Sequence, residues 1–181
     1  MICFRHPTPL LQIGSLPPVH CDRQWLRTQI ADAAAKAGVT GSYWMGDDIA
    51  DAILLYLENH FPGGAIPLDQ LRAKARQLFH NIGAAHIARH LDLTPPPAHL
   101  DLDTLAADAG EGFELSFFTG LAEKLDELAR NGIPKVELTG LKPCVKTLRR
   151  ARSWRKDCEA LAAEICAFLQ SIPRPQAAIS S

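Results

Sequence analysis

The chain has 181 residues, of which 47% are hydrophobic and 22% are charged, a composition typical of a globular protein rather than a disordered or fibrous one. Its formal net charge of −1 gives no chain-wide electrostatic bias towards nucleic acid or a membrane surface. No window approaches the ~18 apolar residues needed to cross a bilayer, so we expect no association with a membrane.

Hydrophobic periodicity and capping residues predict a hairpin followed by four helices in the first half of the chain. The hairpin covers residues 10–21 and turns at Gly14-Ser15. Asp22 is a candidate N-cap for the first helix, which ends at Gly38. The next three helices are predicted near residues 44–61, 68–82 and 84–91.

Three consecutive prolines after Thr94 mark the most plausible domain boundary. Beyond it, short strands are predicted at 99–102, 113–118 and 135–139, with helices at 103–109 and 121–131. For 113–118 the start of a helix is the alternative, and the crossover rule predicts that the two clearer strands are parallel. Residues 143–169 are predicted to be helical, with a possible break at Ser153-Trp154.

These elements predict a mostly helical α+β protein in two parts. Residues 10–92 would form a hairpin-plus-four-helix module, and residues 98–172 a small α/β domain ending in a basic helix. Residues 173–181 have the composition of a disordered tail.

The five cysteines are odd in number and no pair has the C-x-x-C spacing. The N-terminal residues also lack the basic start and apolar stretch of a secretory signal. Free thiols in a reducing cytoplasm fit best, so we expect a cytoplasmic protein.

Several short motifs follow one another in the first half in a characteristic order. They are the turn at 14–15, Cys21-Asp22-Arg23 opening a helix, and the segments 49–53, 66–71 and 81–83. Their order and spacing resemble the ATP-cone, a small nucleotide-binding regulatory module of ribonucleotide reductases and of the repressor that controls their genes. The resemblance implies a hairpin packed on helices and ATP or dATP as a candidate ligand.

The sequence departs from the ATP-cone pattern at the residues that bind phosphate. The family holds triphosphates with basic residues in and beside the hairpin, yet this chain has no Lys or Arg between Arg5 and Arg23. The candidate nucleotide-binding residues are therefore Arg23 and Arg27, one turn apart on the first helix. The alternative is that both lie on a solvated helix face.

Two motifs have the spacing of metal sites. Asp47, Asp48 and Asp51 form a D-D-x-x-D pattern, but the second metal motif of prenyl-transferring enzymes is absent, and acidic residues are favoured in a first helical turn. His86 and His90 are four residues apart, without the further ligands that a structural zinc needs. We expect no metal at either place.

The densest charge feature is a basic segment, residues 142–156, which contains no Asp or Glu. If it is helical, its cations form two stripes beside Trp154 that could follow phosphates. The alternative is a basic surface that pairs with the eight acidic residues of 101–127. The candidate residues for binding a polyanion, or a protein partner, are Lys142, Lys146, Arg149, Arg152 and Arg155.

Cys144 follows Pro143, a preferred first residue of helices, and has Lys142 and Lys146 nearby. A thiol in this position should have a lowered pKa and could be reactive, although no histidine is evident as a base. The alternative is a small buried residue.

The sequence favours a non-enzymatic regulatory or binding protein, with nucleotide sensing through the ATP-cone-like module. One alternative is a nucleic-acid-binding accessory protein that uses the basic segment. A second alternative is a small enzyme that uses Cys144.

Overall fold

The computed structural model describes residues 9–39, 46–61, 64–172 and 176–179. Within these ranges it contains eight α-helices and two three-stranded sheets, which confirms the predicted mostly helical α+β class. Contacts divide the chain into two compact units, Met1–Pro95 and Pro96–Ser181. None of the helices in the described ranges combines the length and apolar character that crossing a bilayer requires.

The first unit contains a small mixed sheet and four helices. Strands β1 and β2 pair antiparallel as the predicted hairpin, and β3, which the sequence did not predict, pairs parallel with β1. The strands are β1 (Leu10–Gln12), β2 (Val19–His20) and β3 (Ala65–Pro67). The helices are α1 (Arg23–Lys36), α2 (Gly46–His60), α3 (Leu68–Asn81) and α4 (Ala85–Ala88).

Local chemistry explains where the first helix begins. The carboxylate of Asp22 accepts hydrogen bonds from the backbone N–H groups of Gln24 and Trp25, so the predicted N-cap is confirmed. Helix α1 contacts α2 and α4, and α3 contacts α4. Apolar side chains of the helices form the core of this unit: Ile30, Ile49, Ile53, Leu57 and Leu71 are buried, whereas Trp25 and Leu78 are half-buried.

The second unit contains a parallel sheet in the order β4-β5-β6, and the sequence predicts strands at β4 and β5 but not at β6. The strands are β4 (Ala98–Asp101), β5 (Lys135–Thr139) and β6 (Gln176–Ile179). The helices are α5 (Leu102–Ala109), α6 (Glu114–Arg130), α7 (Leu141–Leu148) and α8 (Lys156–Ser171).

Of the two interpretations of 113–118, the strand is wrong and the helix start is confirmed, because α6 begins at Glu114. Phe117 lies one turn before the buried Leu121, and the ring of Phe118 meets that of Phe168 on α8 edge to face at 5.2 Å. The apolar run therefore continues the helical period of the residues after it, and a strand would break that continuity.

The prediction of a disordered tail at 173–181 is wrong for Gln176–Ile179, which forms β6 beside β5. A four-residue strand carries too little periodicity to be seen in the sequence, and here it fills a sheet edge that would otherwise leave backbone groups unpaired. The other residues of the predicted tail lie outside the described part of the chain.

Candidate functional site

Arg23 and Arg27, the predicted phosphate-binding residues, both face carboxylates on α2. The guanidinium of Arg23 donates from Nε and Nη2 to the two oxygens of Asp51, with Nη2 2.5 Å from Oδ2. Arg27 engages Asp47 in the same two-pronged way, with Nη2 2.8 Å from Oδ2. The two arginines are four residues apart on α1, and the two aspartates are four residues apart on α2. The two ion pairs therefore lie next to each other, one helical turn apart, between α1 and α2.

These pairs assign a role to the D-D-x-x-D pattern, since two of its three carboxylates hold arginines. The hydrogen bond from Arg23 lowers the pKa of Asp51 below its ordinary value, and the same bond raises the pKa of Arg23. Each bidentate carboxylate occupies two of the five N–H donors of its arginine and neutralises its positive charge. Asp51 and Asp47 therefore weaken the attraction of Arg23 and Arg27 for a nucleotide phosphate.

The hairpin turn also lacks a positively charged side chain that could bind a phosphate, and the hydrogen bonds of Gln12 lie within it. The side-chain amide of Gln12 donates to the carbonyl oxygens of Gly14 and Leu16, at 2.8 Å and 2.6 Å, and closes the turn on itself. This contact stabilises the hairpin without providing a positive charge for a phosphate.

The histidines of the candidate metal pair lie on the surface of the first unit. His80, His86 and His90 are all exposed. No group of three or more His, Cys, Asp or Glu residues among the described residues could hold a metal ion.

The prediction that Cys144 has a lowered pKa is wrong. Burial, followed by the negative charges of Asp103 and Asp101, raises the pKa of Cys144 to about 12. Helix α7 takes its N-cap at Gly140, so Pro143 lies in the third helical position and the thiol faces the core, where it is fully buried. The alternative of a small buried residue describes Cys144 correctly.

The basic segment is not a continuous helix, so the prediction of two cationic stripes is wrong. Helix α7 ends in a Schellman motif, in which the N–H of Ala151 bonds to the carbonyl of Lys146 (2.9 Å) and that of Arg150 to Thr147 (3.2 Å). Residues 149–155 then form a loop, and α8 begins at Lys156. The break therefore starts four residues before the predicted one at Ser153-Trp154.

Three cations of the basic segment have partners within the second unit. Arg149 Nη1 lies 3.0 Å from Oε1 of Glu114, and both side chains are about 30% exposed. Arg150 donates from Nε and Nη2 to the carbonyl oxygen of Glu111, at 3.2 Å and 2.7 Å. Arg155 pairs with Asp157 at 2.9 Å. Arg149 and Arg155, two of the five predicted binding residues, are thus already paired.

The other cations of the basic segment are exposed, and none has an ion-pair partner among the described residues: Lys142, Lys146, Arg152 and Lys156. Trp154 lies between the last two and is 39% exposed. Three predicted binding residues therefore keep uncompensated positive charge in the structure.

A turn that the sequence analysis missed lies directly beside the basic segment. Residues 110–113, the glycine turn, close with a hydrogen bond from the N–H of Phe113 to the carbonyl of Gly110 (3.1 Å). Arg149 and Arg150 join the basic segment to this turn through Glu114 and Glu111. Phe113 is 61% exposed. The available signal was a pair of glycines, two residues apart, just before an aromatic residue.

The chain was compared with protein-family models, with curated proteins and with solved structures. None of the three comparisons found a match.

Proposed function

We propose that this protein is a non-enzymatic binding protein whose second unit binds a polyanion, nucleic acid in particular, through the basic segment. The observation that carries the proposal is a group of exposed cations that have no carboxylate partner within the described ranges: Lys142, Lys146, Arg152 and Lys156. The alternative is a basic surface neutralised by the acidic residues of 101–127. Among the described residues, only one side-chain ion pair joins the basic segment to those acids, and it is the pair of Arg149 with Glu114.

Electrostatics favours a phosphate ligand for such a surface. Like charges that lie close together repel one another, and a strand of phosphates would neutralise several at once while releasing condensed counterions. The indole of Trp154, which is 39% exposed, adds an aromatic side chain beside these cations, and aromatic rings can stack with bases. The ion pair at Arg149 and the bonds made by Arg150 hold the loop in place, which lowers the entropy cost of binding.

The test is binding of the full chain to a fluorescently labelled 20-nucleotide DNA strand, measured by anisotropy at low salt. Replacing both Lys142 and Lys146 by alanine should weaken binding by at least about tenfold. The matched control replaces Lys124 and Lys135, which pair with Glu127 and Glu137, and removes the same charge from the same unit. Equal weakening by both double variants would indicate a net-charge effect and contradict a defined surface.

The first unit is a second candidate, as a site for ATP or dATP. The order of a hairpin followed by four helices supports this candidate, because it is the order that the ATP-cone resemblance implies. The pairs of Arg23 with Asp51 and Arg27 with Asp47 oppose it, so we propose weak binding at most. Titration calorimetry with ATP and dATP tests it, and tight binding that survives Arg23→Ala together with Arg27→Ala would place the site elsewhere.

A cytoplasmic location forms part of the proposal. Its support is that the cysteines in the described ranges, Cys21, Cys144, Cys158 and Cys166, are all free thiols.

A further inference from the structure

Two planar groups lie against the glycine turn at positions where the absence of a side chain makes room for them. A Cβ placed on Gly110 would lie 3.1 Å from Cδ2 of Phe113, and one placed on Gly112 would lie 3.2 Å from Nε of Arg150. The ring of Phe113 therefore rests on the backbone at Gly110, and the guanidinium of Arg150 rests on the backbone at Gly112. Phe113 still exposes 61% of its surface, so much of its ring area remains open to solvent.

The backbone of Arg150 adopts an unfavourable conformation, and this conformation places its guanidinium against the glycine turn. Arg150 has φ of +48°, and among the described residues it is the only one other than glycine with a positive φ. This conformation, usual for glycine at the end of a helix, is unfavourable for an L-residue with a side chain. Two hydrogen bonds to the carbonyl of Glu111 fix the plane of the guanidinium in return. Such local strain is often found where a side chain must be placed for binding.

We propose that Phe113 and Arg150 form a base-stacking platform, and that the ligand of the second unit is accordingly single-stranded nucleic acid. The inference rests on the proposed function, because the basic segment supplies the charge that holds the phosphates. An aromatic ring stacks with any nucleobase, and a planar guanidinium does the same while adding a positive charge. In a duplex the base faces are covered by neighbouring bases, so only an unpaired strand can use this platform.

The surroundings of the platform limit how far the ligand extends. A shallow groove of about 530 Å³ continues from Phe113 along α6 past the exposed Leu115 and ends at Glu123. The carboxylate of Glu123 repels phosphate at that end, whereas unpaired cations lie on the side of the basic segment. We therefore place the phosphates over the basic segment and the bases over Phe113 and Arg150.

The experiment compares four labelled nucleic-acid ligands of 20 nucleotides or base pairs with one labelled acidic peptide. The nucleic acids are oligo(dT), oligo(U), an abasic strand with the same phosphates but no bases, and a DNA duplex; the peptide is a 20-residue oligoglutamate. We measure the affinity of the full chain for each by fluorescence anisotropy at one low salt concentration. The variants are Phe113→Leu, which keeps an apolar side chain on Gly110 but removes the ring, and Phe113→Tyr, which keeps the ring. Circular dichroism and melting temperature establish that both variants fold.

Wild type should bind oligo(dT) and oligo(U) roughly 5- to 100-fold more tightly than the abasic strand, the range expected for one stacked base. Phe113→Leu should reduce this difference by at least about fivefold, the contribution of one stacked base, while binding the abasic strand as wild type does; Arg150 and Trp154 retain the remainder, and Phe113→Tyr should keep the full difference. The comparison of oligo(dT) with oligo(U) separates DNA from RNA as the source of the strand.

Equal wild-type affinity for oligo(dT) and the abasic strand would overturn the stacking platform but leave the proposed function standing. Preference for the duplex or for oligoglutamate would also overturn it, and would assign the surface to paired nucleic acid or to an acidic protein. Binding to none of the ligands would contradict the proposed function itself.

Discussion

Gly140, the N-cap residue of α7, occupies a position where an added methyl group is costly for two separable reasons. Its φ of +74° is left-handed, a conformation that costs an L-residue about 1–2 kcal/mol. A Cβ there would also overlap Oδ1 of Asp101 and lie 3.2 Å from the backbone nitrogen of Asp103. Asp101 would have to move, and it would lose the N-cap hydrogen bond from Asp103 (3.1 Å), worth about 0.5–2 kcal/mol. Gly140→Ala should therefore lower the free energy of unfolding by about 2–4 kcal/mol.

Two other glycines of the second unit separate these causes. Gly132 has φ of +73° and no atom within 4 Å of an added Cβ, so Gly132→Ala should cost only the conformational part, about 1–2 kcal/mol. Gly120 lies inside α6 with the same open space and no left-handed φ, so Gly120→Ala should stabilise by about 0.5–1 kcal/mol. Urea denaturation of the full chain, followed by circular dichroism, gives the three values. Equal losses for the Gly132 and Gly140 variants would refute the close approach to Asp101.

Three further predictions concern charged and titrating groups. Because the pKa of Cys144 is raised from 9.0 to about 12, its contribution to stability is complete below pH 9 and is lost as the pH rises towards 12. Cys144→Ala should flatten the alkaline decline in melting temperature, and a decline of unchanged slope would contradict the assignment. Because the pKa of Asp51 is lowered, its pair with Arg23 stabilises the fold above pH 3.8, and the stabilisation is lost as the pH falls further. The difference in melting temperature between wild type and Asp51→Asn should be present at pH 7 and shrink in acid, and a difference independent of pH would speak against it. Arg149→Glu should destabilise by about 1–2 kcal/mol, since it faces the half-buried Glu114, whereas the exposed Arg152→Glu should change stability by less than about 0.5 kcal/mol. Similar urea midpoints for the two variants would argue against the Arg149–Glu114 pair.

Helices with clear local signals were predictable from the sequence, and short strands were not. Asp22 caps α1 and Leu68 begins α3 as the apolar spacing and the capping residues indicate. Strands β3 and β6 have three and four residues, too few to show an alternating pattern, and they form because a neighbouring strand offers an edge. The sequence at the start of α6 allowed both a strand and a helix, because its aromatic residues suit a strand as well.

The candidate sites depended on contacts that the sequence does not reveal. Arg23 and Asp51 are 28 residues apart, so nothing in the local pattern indicated that the arginine was already paired. Similarly, Arg150 and Glu111 are 39 residues apart, and only the fold brings the glycine turn to the basic segment. The unpaired Lys142 and Lys146 were predictable as candidates, since a run of cations without acids is a property of composition.

The central claim, that the unpaired cations of the basic segment contact phosphates, is tested most directly by the salt dependence of binding to the 20-nucleotide single strand. Each phosphate contact on a single strand contributes about 0.7 to the slope of log K against log salt. If Lys142 and Lys146 both contact phosphates, replacing them together by alanine should make that slope less steep by about 1.4. The double variant of Lys124 and Lys135 should keep the wild-type slope. A wild-type affinity that does not depend on salt, or a slope that the Lys142 and Lys146 substitutions leave unchanged, would contradict the account.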